Sequence, residues 1–217
     1  QAIVKKAVVE AMKRKYRREV FTEDGPVYKM EVAILKDIVT LTVDTSGPGL
    51  HKRGYRENAG EAPLKETLAA ALVLISKWTP DRLLYDPFCG SGTIPVEAAM
   101  IGKNMAPGLR RSFVSEEWPN IDRSIWQKVR KEAEGAINDK EFIIFGSDKD
   151  GKILKTAREN AIKAGVEAYT NFQKLPIEEF SSRKKYAYII TNPPYGERLG
   201  EEKEVRKLYE ILGNLYK

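Results

Sequence analysis

Asn192-Pro193-Pro194-Tyr195 is the stretch of this chain whose residue types most directly imply a reaction. The exocyclic amine of a heterocycle is a poor nucleophile, because its lone pair is delocalised into the ring. A carboxamide oxygen and a backbone carbonyl that accept its two N–H bonds aim the nitrogen at an electrophile and offset the positive charge growing on it. Asn192 supplies the carboxamide, and Pro193 a carbonyl held with Pro194 in a rigid, extended turn. Tyr195 offers a ring on which a base can stack. The fitting electrophile is a sulfonium methyl, and no covalent nucleophile is required.

A second constellation, Asp86-Pro87-Phe88-Cys89-Gly90-Ser91-Gly92-Thr93, suits the binding of such a cofactor. Gly90 and Gly92 let backbone approach a ligand closely, and the helix expected from Thr93 offers free N–H groups. Asp86 is placed to meet an amino-acid ammonium, with Phe88, Ser91 and Thr93 lining the same turn. The motif is not a phosphate-binding P-loop, which needs a Gly-Lys-Ser/Thr ending. Nor is it a dinucleotide fingerprint, which wants a third small residue where Pro95 stands. Asp148, in Gly146-Ser147-Asp148, is an acidic residue that can accept two ribose hydroxyls. It lies 56 residues beyond Gly92, against roughly 20 in a simple dinucleotide unit, and a polar insertion over 103–141 accounts for the excess. The competing role for Asp148 is to cap the next helix, which Asp150 can do instead.

These motifs need strands ending at one rim. The pattern predicts a helix over 1–18, a turn at Asp24-Gly25-Pro26, and a hairpin from Val27–Leu35 and Ile38–Asp44 joined by Lys36-Asp37. Thr45-Ser46-Gly47-Pro48-Gly49 breaks the chain into two expected domains, 1–48 and 49–217. In the second, a helix opens at Pro63 and runs to Lys77. The strands Arg82–Asp86, Phe142–Asp148, Tyr169–Lys174 and Tyr186–Thr191 then alternate with helices at 93–101, 122–136, 152–164 and 202–216. Such alternation implies an α/β fold with a parallel sheet, Rossmann-like in kind.

The composition narrows the partners. The net charge is +6, and seven Lys/Arg against two Glu in residues 1–20 make a basic stripe suited to a polyanion. Arg53, Arg56, Arg110 and Arg111 are further candidates for phosphate contact, each weighed against a solvated surface role. Cys89 is the sole cysteine and His51 the sole histidine, which argues against a disulfide framework or a zinc centre. Cys89 reads as small packing, and Trp78, Trp118 and Trp126 as core or insertion anchors. No run approaches the roughly 20 apolar residues of a membrane helix, and no signal-peptide pattern opens the chain. The expected setting is cytoplasmic, without membrane or metal.

Taken together, these motifs resemble the SAM-dependent RNA guanine-N2 methyltransferases that carry an N-terminal THUMP domain. Asp86–Thr93 resembles the family's cofactor motif and Asn192–Tyr195 its catalytic motif. The extension through Gly196-Glu197-Arg198-Leu199 is close to the form in bacterial 23S rRNA members. Gly54-Tyr55-Arg56 with Ala62–Ala69 resembles the entry helix, and Ala106-Pro107-Gly108, Arg111-Ser112-Phe113 and Glu117-Trp118 the characteristic insertion. The likeness covers about residues 50–217, with 1–48 as the end of a THUMP-like RNA-binding domain.

It implies S-adenosyl-L-methionine as methyl donor and structured RNA as substrate, rRNA first and tRNA second, with the guanine extruded into the pocket. It also implies a class I methyltransferase sheet of about seven strands, of which this chain supplies four, so the domain is expected to be incomplete. Gln173 stands where relatives commonly place an Asp toward the adenine. An adenine-N6 DNA methyltransferase, a glutamine-amide methyltransferase and a non-catalytic RNA-binding module are the competing readings.

Overall fold

The computed structural model describes residues 2–56, 64–182, 184–194 and 202–215. The chain opens with α1 (Ala2–Tyr16), followed by the strands β1 (Lys29–Leu35) and β2 (Ile38–Asp44), paired antiparallel with Leu35 opposite Ile38. Lys36 and Asp37 both take left-handed φ (50° and 59°). That is the two-residue hairpin turn whose twist matches the flanking strands. Among the described residues, α1 buries none, and Met30, Ile34, Leu41 and Val43 of the hairpin are exposed.

The remaining elements are α2 (Glu66–Ser76), β3 (Leu84–Asp86), α3 (Thr93–Gly102), α4 (Arg123–Gly135), β4 (Ile144–Asp148), α5 (Gly151–Ala164), β5 (Thr170–Lys174), β6 (Tyr188–Ile189) and α6 (Glu202–Leu215). The four strands β3–β6 form one parallel sheet in the order β5-β4-β3-β6. This is the expected α/β fold with a parallel sheet. Helix α2 begins at Glu66 rather than at Pro63, which lies outside the described residues. Asp150 caps α5 by accepting the Lys152 amide at 2.8 Å, which leaves Asp148 free of that task.

Alternation along the strands sorts the sheet's two faces. Leu84, Ile144 and Phe172 turn toward a core filled by Ala69 and Val73 of α2, Val96 and Ala99 of α3, and Leu154, Ala157 and Ala161 of α5. Alanine at these helix positions lets α3 approach both its neighbours closely. On the other face Tyr85 stacks on Phe145 with centroids 5.2 Å apart, and Phe180 meets Tyr85 edge-on.

The insertion between α3 and β4 holds the boundary between the two parts of the chain. Trp118 is buried, stacks on Tyr28 at 4.6 Å and donates its indole N–H to the Val27 carbonyl. Ser115 donates its hydroxyl to the Thr45 carbonyl at 2.8 Å. Arg111 donates to the carbonyls of Ser46, Pro48, Gly49 and Lys52. Arg111, weighed as a phosphate contact or a solvated surface residue, instead spends its guanidinium on the backbone of the boundary. Trp78 sits in the core, its indole N–H donating to the Arg82 carbonyl, and Trp126 stacks on Phe113 within the insertion.

Candidate active site

Parallel pairing puts the carboxyl ends of β3, β4, β5 and β6 at one rim, the usual ligand side of an open α/β sheet. Three loops meet there. Gly90 and Gly92 hold left-handed φ (52° and 79°), which an L side chain adopts only at a cost. A Cβ on Gly92 would stand 3.0 Å from the Ala157 Cβ and the Phe172 ring, so this position is closed by packing. A Cβ on Gly90 would meet nothing within 4 Å, so this part of the turn faces open space.

The turn is fastened from β4 and α5. The Cys89 amide donates to the Ser147 carbonyl at 2.9 Å, and the Gly90 amide to Asp148 Oδ2 at 3.0 Å. The second Asp148 oxygen accepts the Asp150 amide at 2.9 Å. Buried Asn160 of α5 donates to the Ser91 carbonyl. Asn160 belongs to no motif of the chain, and its one signal there is a polar residue beside the apolar stripe Leu154, Ala157, Ala161 and Ala164.

Asp86 is buried at the end of β3 and accepts the Phe88 amide at 3.2 Å. The Thr191 hydroxyl donates to the same oxygen, Oδ1, at 2.6 Å. Burial pushes the Asp86 carboxyl up to about 7, and the Asp148 charge adds to that, while the Thr191 and Phe88 bonds oppose it. Cys89 is buried too, and its thiol is pushed far up by desolvation, so it serves as packing rather than as a thiolate.

The Asn192 loop leaves β6, the strand hydrogen-bonded to β3, at the same rim. The Ile190 amide donates to the Tyr85 carbonyl at 3.0 Å, so the pairing runs almost to the motif. Asn192 is exposed, and Pro193 and Pro194 are half-buried. Tyr195 lies outside the described residues. Gln173 is exposed on β5, opposite Ser147 and one residue short of the strand's end. The structure thus brings the Asp86–Thr93 turn, Asp148 and Asn192 to one rim, with Gln173 at its outer edge.

Behind the turn lies a buried ionic cluster. Arg56 bonds the Thr93 hydroxyl and pairs with Glu66 at 3.4 Å, both side chains being 7% or less exposed. Arg53 pairs with Glu97 at 3.4 Å, and Tyr55 donates its hydroxyl to Glu97 at 3.0 Å. Arg53 and Arg56, weighed as phosphate contacts or solvated surface, are instead spent inside the fold on carboxylates of α2 and α3. Among the described residues, no group of three or more His, Cys, Asp or Glu is arranged to hold a metal ion. No helix there is long and apolar enough to cross a membrane.

A family model described as UPF0020, RMKL-like, methyltransferase domain, matches residues 53–217. "Putative RNA methyltransferase YpsC" of Bacillus subtilis (strain 168) is 48% identical over 219 residues, covering 100% of this chain and 57% of that protein. A "predicted N6-adenine-specific DNA methylase" from Listeria monocytogenes str. 4b F2365 has a solved structure at TM-score 0.94 and 52% identity, covering 100% of this chain and 57% of that one. SMU.472, described as "a putative methyltransferase complexed with SAH", superposes at TM-score 0.92 and 43% identity, covering 100% of this chain and 58% of that one. The chain thus spans a little over half the length of these relatives.

Proposed function

The chain belongs to the UPF0020 family of RMKL-like methyltransferase domains, and from that premise we propose that it moves a methyl group from S-adenosyl-L-methionine to the exocyclic N2 amine of a guanine in RNA, 23S rRNA first among the candidates. The observation that carries this reading is the 2.6 Å bond from Thr191 to Asp86, which ties the cofactor turn and the Asn192 loop together across adjoining parallel strands.

The residues fit the cofactor. The open face of Gly90 gives backbone room for the methionyl part, buried Asp86 suits its ammonium, and Asp148 suits the ribose hydroxyls. Phe88, Ser91 and Thr93 line the turn, and Gln173 stands toward the adenine. SMU.472, 43% identical to this chain, is known with SAH bound, which supports the same cofactor here. When bound, S-adenosyl-L-methionine supplies a sulfonium methyl open to attack along one line. Asn192 and the Pro193 carbonyl accept the two N–H bonds of the target amine and hold its lone pair on that line. They also offset the charge that builds on nitrogen before a proton leaves. Tyr195 supplies the stacking surface for the extruded base.

Residues 1–48 are read as the end of a THUMP-like RNA-binding domain, with the basic residues of α1 toward phosphate. The name of the Bacillus subtilis relative supports RNA as substrate. That of the Listeria relative favours a second reading, N6 methylation of adenine in DNA, since both chemistries present an exocyclic amine to the same four residues. Nucleoside mass spectrometry on cells with the gene deleted separates them. Loss of N2-methylguanosine from large-subunit rRNA is expected. Its loss from tRNA instead moves the substrate, and loss of N6-methyladenine from DNA replaces the reading.

A further inference from the structure

We propose that Thr191 is a positioning residue that couples occupancy of the cofactor turn to the placement of the Asn192 amide, through its hydroxyl bond to Asp86. The inference rests on the roles given above to Asp86 and Asn192. The backbone ladder between β3 and β6 reaches the Ile190 amide. One residue further on, the tie passes from backbone to side chain, as the Thr191 hydroxyl donates to Asp86 Oδ1 at 2.6 Å. That length is typical of an O–H donor on an ionised carboxylate, a bond roughly twice as strong as one between neutral partners. The next residue in the chain is Asn192.

The strength of the tie depends on the charge of Asp86. The groups facing that carboxylate are the Phe88 amide and the Thr191 hydroxyl, which favour its ionised form, and Asp148 on β4, which opposes it. The Cys89 thiol beside it stays protonated. With burial the largest cause, outweighing the two hydrogen bonds, the Asp86 carboxyl is pushed up to about 7. An ammonium on the remaining oxygen holds it ionised, so a filled cofactor site grips Thr191 more firmly and fixes the start of the catalytic loop. By linkage, a base seated against Asn192 then raises cofactor affinity by the same factor.

Valine matches threonine in shape and lacks the donor. Alanine lacks it too, and serine keeps it. The test is titration calorimetry of SAH into the full-length protein between about pH 5.5 and 8.5, for wild type, Thr191→Val, Thr191→Ala and Thr191→Ser. In the wild type, SAH affinity should rise with pH and level off above neutrality. Thr191→Val and Thr191→Ala should move that rise to higher pH and weaken SAH by about tenfold at neutral pH, and Thr191→Ser should follow the wild type. Donor-less variants that overlay the wild type, or that weaken SAH equally at every pH, overturn the inference. A wild type that fails to bind SAH at all overturns the cofactor reading itself, a distinct result.

Discussion

The Gly90 amide donates to Asp148 Oδ2 across 3.0 Å, so a carboxylate from the end of β4 closes the turn that follows β3. One side chain thereby shapes the turn proposed to take the methionyl part and is itself the proposed partner of the ribose. Asp148→Ala removes the acceptor for two amides, those of Gly90 and Asp150. SAH affinity should fall by about tenfold or more, since a hydrogen bond to a charged group is worth about 1.5–3 kcal/mol. Calorimetry at fixed pH reads it.

Asn192 stands on the exposed side of the rim and takes no part in the turn's hydrogen bonds. Asn192→Ala should therefore leave SAH affinity unchanged while slowing methyl transfer by about a hundredfold to a thousandfold, the cost of losing one preorganised transition-state acceptor. Incorporation of labelled methyl into RNA from gene-deleted cells measures the rate. Equal turnover by the variant would remove Asn192 from the chemistry.

Asp86 makes the stability of the unliganded protein depend on pH. Its folded-state pKa is about 7, against 3.8 for the free side chain. The folded protein thus holds this proton more tightly than the unfolded chain does. The stability it confers is fully present below the unfolded value and is lost as pH rises through the folded one. Compared with Asp86→Asn, the wild type should lose melting temperature between pH 4 and pH 8. Parallel melting curves for the two proteins across that window would contradict the assignment.

The ion pairs behind the turn predict a stability effect rather than a binding effect. Arg56→Met leaves Glu66 buried without its cation, and removing one partner of a buried pair costs about 3–5 kcal/mol. Urea unfolding should show that loss. A variant of unchanged stability with weakened RNA binding would return Arg56 to the phosphate role.

Much of this was legible in the chain itself, for identifiable reasons. Strands β3, β4 and β5 fall within the runs expected for them: β3 and β4 are short and largely buried with Gly and Asp at their ends, while β5 at the sheet edge buries Phe172 alone. Asn192 and the glycine turn declare their chemistry by residue type. The internal role of Arg53 and Arg56 is not legible in the chain, because their partners, Glu97 and Glu66, lie on helices that only folding brings near. Thr191 read as one more β-branched strand residue, since the carboxylate it bonds lies 105 positions upstream. Strand β6 is shorter than expected, Tyr188–Ile189 rather than Tyr186–Thr191. Tyr186 has a positive φ of 62° that takes it out of extended conformation, and Thr191 turns to Asp86.

In the proposed arrangement a cofactor held by the turn after β3 presents its sulfur to the Asn192 amide at the end of β6. A crystal structure of the full-length protein with SAH decides whether it holds. The expected electron density has the ammonium on Asp86, the ribose hydroxyls on Asp148 and the sulfur open toward Asn192. SAH seated elsewhere, for example in the groove of about 330 Å³ lined by Arg158, Glu167 and Phe172 on the outer edge of β5, would contradict it.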